Sequence, residues 1–212
     1  MMKIIKEQVF SFSERNKPLE GLTISEDLKC NQKASVFSLG DHTDISKESY
    51  SSESFLFCLY GKGRVSSQDM KKGEALIIKE GQLVSKETEQ GFLYFEMQYR
   101  KDNSVVNEKI KKGEIFQLKD LLPYQEDKII NLDVIKTDKV KFALISMAKG
   151  TSLDAHRAPG EALLFVLDGK ATLTYEGKDF ILTEGDNFSF AKGGLHAITA
   201  DSDFKFALLL EL

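Results

Sequence analysis

The feature that most constrains the fold of this chain is an internal repeat. When the sequence is shifted by 108 positions, residues 36–62 align with residues 144–170 without a gap, and eight of the 27 aligned pairs are identical. A second block, residues 73–84, aligns with residues 185–196 at a shift of 112. The larger second shift places a four-residue insertion between the two blocks of the second copy. We interpret the chain as a tandem duplication.

The two copies divide the 212 residues into segments of about 100 residues, a common domain size. We expect one domain over residues 1–103 and a second over residues 110–212, separated by a polar junction. In both copies, short apolar runs rich in Phe, Leu, Ile and Val alternate with turn residues about every eight to twelve positions. Gly177 marks a hairpin turn of this kind. The pattern predicts an all-β fold of the sandwich or barrel type.

Composition and charge restrict the partners that the chain is expected to bind. It has 29 basic and 33 acidic residues, whereas proteins that contact nucleic-acid phosphates usually carry a basic excess. The longest apolar run, residues 162–167, is much shorter than the roughly 18 residues that indicate a membrane span. Residues 1–7 carry charges and lack the apolar region of a signal peptide. We therefore expect a cytoplasmic protein with no nucleic-acid partner and no membrane partner.

Glycine and histidine landmarks of the second copy follow a regular spacing. These landmarks are Gly150, His156, Gly169, Gly185, Gly193 and His196. The spacing resembles the two motifs of the cupin superfamily, G-x5-H-x-H-x3,4-E-x6-G and G-x5-P-x-G-x2-H-x3-N. Together with the repeat, the resemblance implies a bicupin, in which two antiparallel β-barrels of the double-stranded β-helix or jelly-roll type follow each other on one chain. Such a chain is expected to be a monomer of two barrels or a homodimer.

The resemblance also shows which positions of the family's metal site are filled. Cupin metal sites generally take three histidines and one carboxylate from these motifs. His156 and His196 occupy the first and last ligand positions, but Ala158 and Ala162 occupy the second histidine and the carboxylate positions. Glu161 lies one residue early. Because side chains alternate between the two faces of a strand, we expect Glu161 to point out of the barrel or to lie in the preceding turn.

Three functions are compatible with this pattern. We favour a metal-free pocket in the second barrel, where His156 and His196 form hydrogen bonds to a small molecule beside an apolar wall. Alternatively, both histidines and Glu161 hold a divalent transition metal (Zn, Mn, Fe or Ni) in an enzyme of the dioxygenase or isomerase type. In the third interpretation the chain is a structural or partner-binding module with a relic pocket. The residues expected to line the pocket are Ala158, Ala162, Leu164 and Val166.

The first copy lacks histidines at the corresponding positions. The residues aligned there with His156, Ala158, Ala162 and His196 are, in this order, Glu48, Tyr50, Ser54 and Val84. The remaining histidine of the chain, His42, aligns with Gly150 and is expected in a loop. We therefore assign the first barrel a structural role.

Overall fold

The computed structural model describes residues 7–28 and 30–212, and strands dominate this part of the chain. The charged start over residues 1–6 lies outside the described residues. No helix in the described part has the length and hydropathy of a membrane-spanning helix. The helical elements are a single turn, α1 (Phe12–Arg15), and two 3-10 helices (Lys101–Asn103 and Leu118–Leu121). The predicted all-β fold is confirmed.

Twenty strands are arranged in two groups along the chain. The first ten are β1 (Val9–Phe10), β2 (Thr23–Leu28), β3 (Ala34–Leu39), β4 (Thr43–Ser49), β5 (Glu53–Val65), β6 (Gln68–Lys71), β7 (Glu74–Ile78), β8 (Leu83–Thr88), β9 (Phe92–Tyr99) and β10 (Ser104–Val106). The second ten are β11 (Phe116–Gln117), β12 (Ile129–Thr137), β13 (Val140–Met147), β14 (Ser152–Arg157), β15 (Ala162–Asp168), β16 (Lys170–Tyr175), β17 (Lys178–Thr183), β18 (Asn187–Phe190), β19 (Leu195–Ala200) and β20 (Phe204–Glu211).

The described residues form two compact units. The first unit contains Ser13–Ser104 and Glu108–Leu118, and the second contains residues 7–12, Val105–Asn107 and Lys119–Leu212. Each unit therefore includes a short segment from beyond the junction near residue 105. The division at 1–103 and 110–212 stays a proposal about the duplicated copies.

The first unit is built on two groups of paired strands that share β5. One sheet has the order β11-β7-β5-β9-β3-β2, and β8 pairs with β4 and with the end of β5, which also pairs with β6. The 13 residues of β5 are therefore long enough to join both groups. Buried apolar side chains of β5, β7, β8 and β9, including Leu56, Ile78, Val84 and Tyr94, form one core between them.

The second unit is a sandwich of two antiparallel sheets. Its larger sheet has the order β1-β18-β15-β20-β13-β12-β10, and its smaller sheet has the order β14-β19-β16-β17. Leu164 and Phe188 from the larger sheet share one buried core with Leu173 and Ile198 from the smaller sheet. The core of this unit therefore lies between the two sheets, as in aligned β-sandwiches.

Strand β15 is buried on both of its faces. Ala162 and Leu164 point into the core between the sheets, whereas Phe165 points to the other side. There the ring of Phe165 lies 6.1 Å from the ring of Phe12 and 6.2 Å from that of Phe142, measured between centroids. This two-sided burial explains why residues 162–167 are continuously apolar rather than alternating.

The four-residue insertion in the second copy lengthens one hairpin. In the first unit the end of β5 pairs with β6 over four residue pairs, from Lys62↔Lys71 to Val65↔Gln68. In the second unit β16 pairs with β17 over six residue pairs, from Lys170↔Thr183 to Tyr175↔Lys178. Two added residues in each strand account for the insertion that the repeat predicted.

Candidate functional site

The two histidines of the second copy lie opposite each other on neighbouring strands. His156 on β14 and His196 on β19 are direct partners in the antiparallel ladder. Side chains of such cross-strand partners are in contact range, and the two imidazole centroids are 4.2 Å apart with an angle of 52° between the ring planes. The ladder shifts register between Leu153 and His156, which marks a β-bulge just before the first histidine. Bulges of this kind reorient side chains at sites.

Backbone carbonyl groups fix the tautomer of both imidazoles. Nδ1 of His156 lies 2.7 Å from the carbonyl oxygen of Asp154, and Nδ1 of His196 lies 3.1 Å from that of Gly194. Because a carbonyl oxygen only accepts hydrogen bonds, we assign the ring hydrogen to Nδ1 in each case. Each neutral imidazole then presents the lone pair of Nε2. Neither Nε2 has a hydrogen-bonding partner among the residues that the structure describes.

Burial keeps His196 in its neutral form. Its pKa is lowered from the ordinary value of about 6.5, mainly because burial disfavours the charged imidazolium and secondarily because of the neighbouring His156. The hydrogen bond to the carbonyl of Gly194 opposes this effect in part. At neutral pH His196 is therefore an acceptor at Nε2 rather than a cation.

An apolar wall adjoins the two imidazoles. Ala158, Ala162, Leu164 and Val166, the residues predicted to line the pocket, are all buried members of the core of the second unit. Sequence reasoning missed Phe190, whose ring centroid lies 4.6 Å from that of His196. Phe190 belongs to the same apolar core, but it lies on another strand. A distance of six residues along the chain gave no signal of this contact.

Backbone hydrogen bonds join the loops that carry the wall and the second histidine. The N–H of Ala158 donates to the carbonyl of Gly194 at 3.0 Å, and the N–H of Gly193 donates to the carbonyl of Ala158 at 2.8 Å. The guanidinium of Arg157 also donates to the carbonyl of Gly193 at 2.8 Å. The position of His196 relative to the wall is thus set by main-chain contacts that surround Gly193 and Gly194.

Glu161 lies in the turn before β15, outside the strand. Its carbonyl accepts a hydrogen bond from the N–H of Glu211 at 2.9 Å, which fixes the backbone of the turn. Across residues 7–28 and 30–212, no three His, Cys, Asp or Glu side chains are grouped so that they could hold a metal ion. Glu161 is therefore not assembled with His156 and His196 into one ligand set. The donors present supply two imidazoles, which is fewer than a catalytic zinc or iron site uses.

The third histidine lies far from this pair in its own unit. His42 has a φ of 56° in the turn before β4, and its exposed Nδ1 lies 2.7 Å from Oε2 of Glu89. It therefore occupies the loop position that the sequence predicted and takes no part in the candidate site.

Comparison with known proteins supports the cupin resemblance. Residues 143–210 match the cupin domain family. A cupin 2 conserved barrel domain protein from Leptotrichia buccalis is 25% identical over 100% of both chains, with a TM-score of 0.84. No curated protein matches the sequence. The predicted cupin barrel fold is thus confirmed.

Two oxalate decarboxylases share the fold at greater distance. The Lactobacillus farciminis enzyme, solved as a formate complex, is 14% identical, with 99% of this chain and 87% of that chain covered and a TM-score of 0.57. The Bacillus subtilis enzyme, described for its Mn(II) centers, is 15% identical, with 99% and 77% covered and a TM-score of 0.53. At this level of identity the likeness shows the fold alone.

Proposed function

We propose that this cupin-fold chain is a bicupin whose second barrel binds a small molecule at His156 and His196 without a complete metal site. The observation that carries the proposal is the pair of unpartnered Nε2 acceptors beside an apolar wall. Small-molecule sites usually combine such a wall with a few convergent polar groups. The ligand class that fits is a small organic molecule with a hydroxyl or another hydrogen-bond donor for the imidazoles and an apolar portion for Ala158, Ala162 and Phe190.

The state of the imidazoles supports a hydrogen-bonding role. Each Nδ1–H is already used by a backbone carbonyl, so only Nε2 remains for a ligand. The lowered pKa of His196 keeps its Nε2 available as an acceptor at neutral pH. A donor group on the ligand could therefore bridge the two rings, which are 4.2 Å apart.

A thermal-shift screen of small acids, sugars and other hydroxylated compounds tests this proposal. Binding stabilises the folded protein by RT ln(1 + L/Kd), where L is the free ligand concentration, or about 2.7 kcal/mol at a hundredfold excess over Kd. We expect the compound that raises Tm to lose its effect on His156→Ala and His196→Ala variants. His42→Ala is the matched control and keeps the full shift. If no compound raises Tm, or if all three variants respond alike, the proposed pocket is wrong.

A second candidate is a metal-dependent enzyme, favoured by one feature of the same site. Histidines that ligate metals usually donate their other ring N–H to a carbonyl or carboxylate, as both imidazoles do here. In that case the two Nε2 atoms would hold a divalent ion, which would act as a Lewis acid. Elemental analysis of untagged protein decides between the candidates. Near-stoichiometric metal that disappears in His196→Ala would favour the enzyme, and metal-free protein that still binds the compound would favour the pocket.

A further inference from the structure

The core of the first unit contains a buried charged cluster that the repeat had marked as merely structural. Lys86 on β8 has a side chain that is only 1% exposed. Its ammonium donates a hydrogen bond to Oη of Tyr50, and this hydroxyl donates to Oε2 of the buried Glu96 at 3.1 Å. The amide of Gln98 donates to the other carboxylate oxygen of Glu96 at 3.2 Å. Lys86 and Glu96 thus form a nearly neutral pair connected through a tyrosine.

The hydrogen-bonding capacity of this cluster is not used up. An ammonium group has three donors, but in the described part of the chain only one of those on Lys86 is within hydrogen-bonding distance of an acceptor. The carboxylate oxygens of Glu48 and Glu96 lie farther away, at 3.6 Å and 3.8 Å from Nζ. The structure therefore leaves two N–H donors of a buried cation for another acceptor.

Two buried hydroxyl groups near the cluster are also unsatisfied. Oη of Tyr94 and Oγ of Ser54 have no hydrogen-bonding partner among the described residues, although both residues are 0% exposed. Tyr94 belongs to the core of the unit, and Nζ of Lys86 lies 5.6 Å from its ring centroid. Ser54 lies opposite Gln98 in the ladder and shares the face of β5 that carries the core residue Leu56. A buried polar group without a partner costs about 1–3 kcal/mol, so these hydroxyls favour a bound molecule with polar atoms.

The ammonium of Lys86 can be reached from solvent by a carboxylate. Glu48 carries a side chain that is 57% exposed, and its Oε1 already lies 3.6 Å from Nζ of Lys86. Because Glu96 balances the charge of Lys86 inside the barrel, the exposed carboxylate of Glu48 is an additional and replaceable partner. In the internal repeat Glu48 aligns with His156, so this end of the cluster corresponds to the proposed pocket of the second unit.

We infer that the first unit binds a small organic carboxylate at Lys86, in the place that the Glu48 carboxylate now occupies. The ligand carboxylate accepts hydrogen bonds from the two remaining N–H donors of Lys86. The hydroxyls of Tyr94 and Ser54 bind its other oxygen atoms. This site is independent of the one proposed at His156 and His196.

Isothermal titration calorimetry with acetate, lactate and malonate tests the inference. Removing the competing carboxylate in Glu48→Gln should lower Kd about twofold to fivefold, the range expected for one exposed ion pair. Removing the ammonium in Lys86→Met should raise Kd by about 10- to 100-fold, because a hydrogen bond to a charged group contributes about 1.5–3 kcal/mol. Glu87→Gln is the matched control, since Glu87 is an exposed carboxylate on the same strand that pairs with Arg64 instead.

Control variants keep each outcome interpretable. Lys86→Met leaves Glu96 unpaired, so the double variant Lys86→Met with Glu96→Gln removes both charges of the buried pair if the single variant does not fold. His196→Ala should leave carboxylate binding unchanged, which separates this site from the one in the second unit. The inference is wrong if Glu48→Gln binds none of the three acids, if Glu48→Gln and Glu87→Gln bind them alike, or if His196→Ala abolishes the binding.

Discussion

At the scale of single residues, the two histidines of the second unit are held as acceptors by their surroundings. Their Nδ1 atoms contact carbonyl oxygens two residues earlier in the chain, those of Asp154 and Gly194. The same local arrangement on two paired strands leaves two equivalent Nε2 atoms next to each other. A pocket with two neutral acceptors selects ligands that donate hydrogen bonds and discriminates against anions.

The lowered pKa of His196 makes stability depend on pH. Between the folded-state pKa and about 6.5, the unfolded chain binds a proton at this residue and the folded chain does not. The free energy of unfolding should therefore decrease as the pH falls below about 6.5 and level off once the pH is below the folded-state pKa. Above about 6.5 both states are neutral at His196, and it contributes no slope.

Chemical denaturation of the wild type and of His196→Gln over this pH range measures the effect. The difference in unfolding free energy between the two proteins isolates the contribution of His196 from that of the carboxylates. A difference that does not change between pH 7.5 and pH 5, a range of about 2.5 units around the ordinary value, would show that His196 is not held in its neutral form.

The positions of the site residues could be predicted from the sequence, but their contacts could not. Counting from Gly150 and Gly169 placed His156, Ala158 and Ala162 correctly along the chain, because the glycines mark turns that fix the register. The hydrogen bonds of the imidazoles depend on the bulge after Leu153, for which the residue pattern gives no signal. In the first unit, the alternation of Lys86 with the buried Val84 and Thr88 was such a signal, and it was not used.

At the scale of strands and turns, the repeat is preserved in backbone conformation as well as in sequence. The aligned glycines Gly61 and Gly169 both have positive φ, 74° and 79°. A Cβ added to them would lie 2.1 Å from the carbonyl oxygen of Gly91 and 1.8 Å from that of Asp203. These two carbonyls directly precede β9 and β20, which are also related by the repeat. The close approach explains why both positions require glycine.

Alanine substitutions should separate the two reasons for glycine at these turns. Gly177 also has positive φ, 76°, but a Cβ there meets no atom of the described chain within 4 Å. Gly177→Ala should therefore cost only the conformational strain of about 1–2 kcal/mol. Gly169→Ala and Gly61→Ala should cost clearly more, because a backbone carbonyl must also move. Denaturant titration measures all three, and equal losses would contradict the close approach.

Strand pairing could be predicted where it is local and not where it is distant. The hairpin of β16 and β17 follows from Gly177 and from the four-residue insertion, since both lie within a few residues of the pairs they control. The pairing of β1 with β18 joins Val9 to Phe188, and no periodicity in either segment indicates it. The predicted boundary at residue 103 therefore did not anticipate that residues 7–12 belong to the second unit.

At the scale of the whole chain, the second unit depends on a segment from the opposite end of the sequence. Phe12 is 1% exposed and its ring stacks on that of Phe165 at 6.1 Å. Its N–H donates to Oδ1 of Asn187 at 3.1 Å, and Oγ of Ser11 donates to the carbonyl of Gly185 at 3.2 Å. These contacts add to the ladder of β1 and β18.

Replacing Phe12 should therefore destabilise the second unit. Phe12→Ala removes a fully buried aromatic ring, and such substitutions cost about 3–5 kcal/mol. Ile181→Ala in the same unit is the control, because Ile181 is 51% exposed and a surface substitution changes stability by less than about 0.5 kcal/mol. Equilibrium unfolding of both variants gives the comparison. Similar losses for the two would contradict the docking of residues 7–12.

The position of β1 also has a consequence for synthesis on the ribosome. Phe12 emerges first, yet the acceptor of its N–H, Asn187, follows 175 residues later. At roughly 5–20 residues per second, translation needs about 9 to 35 seconds to reach that partner. During this interval the rest of the first unit is already complete, while the opening strand has no edge to join. The last step of assembly is thus the return of the oldest part of the chain to the newest.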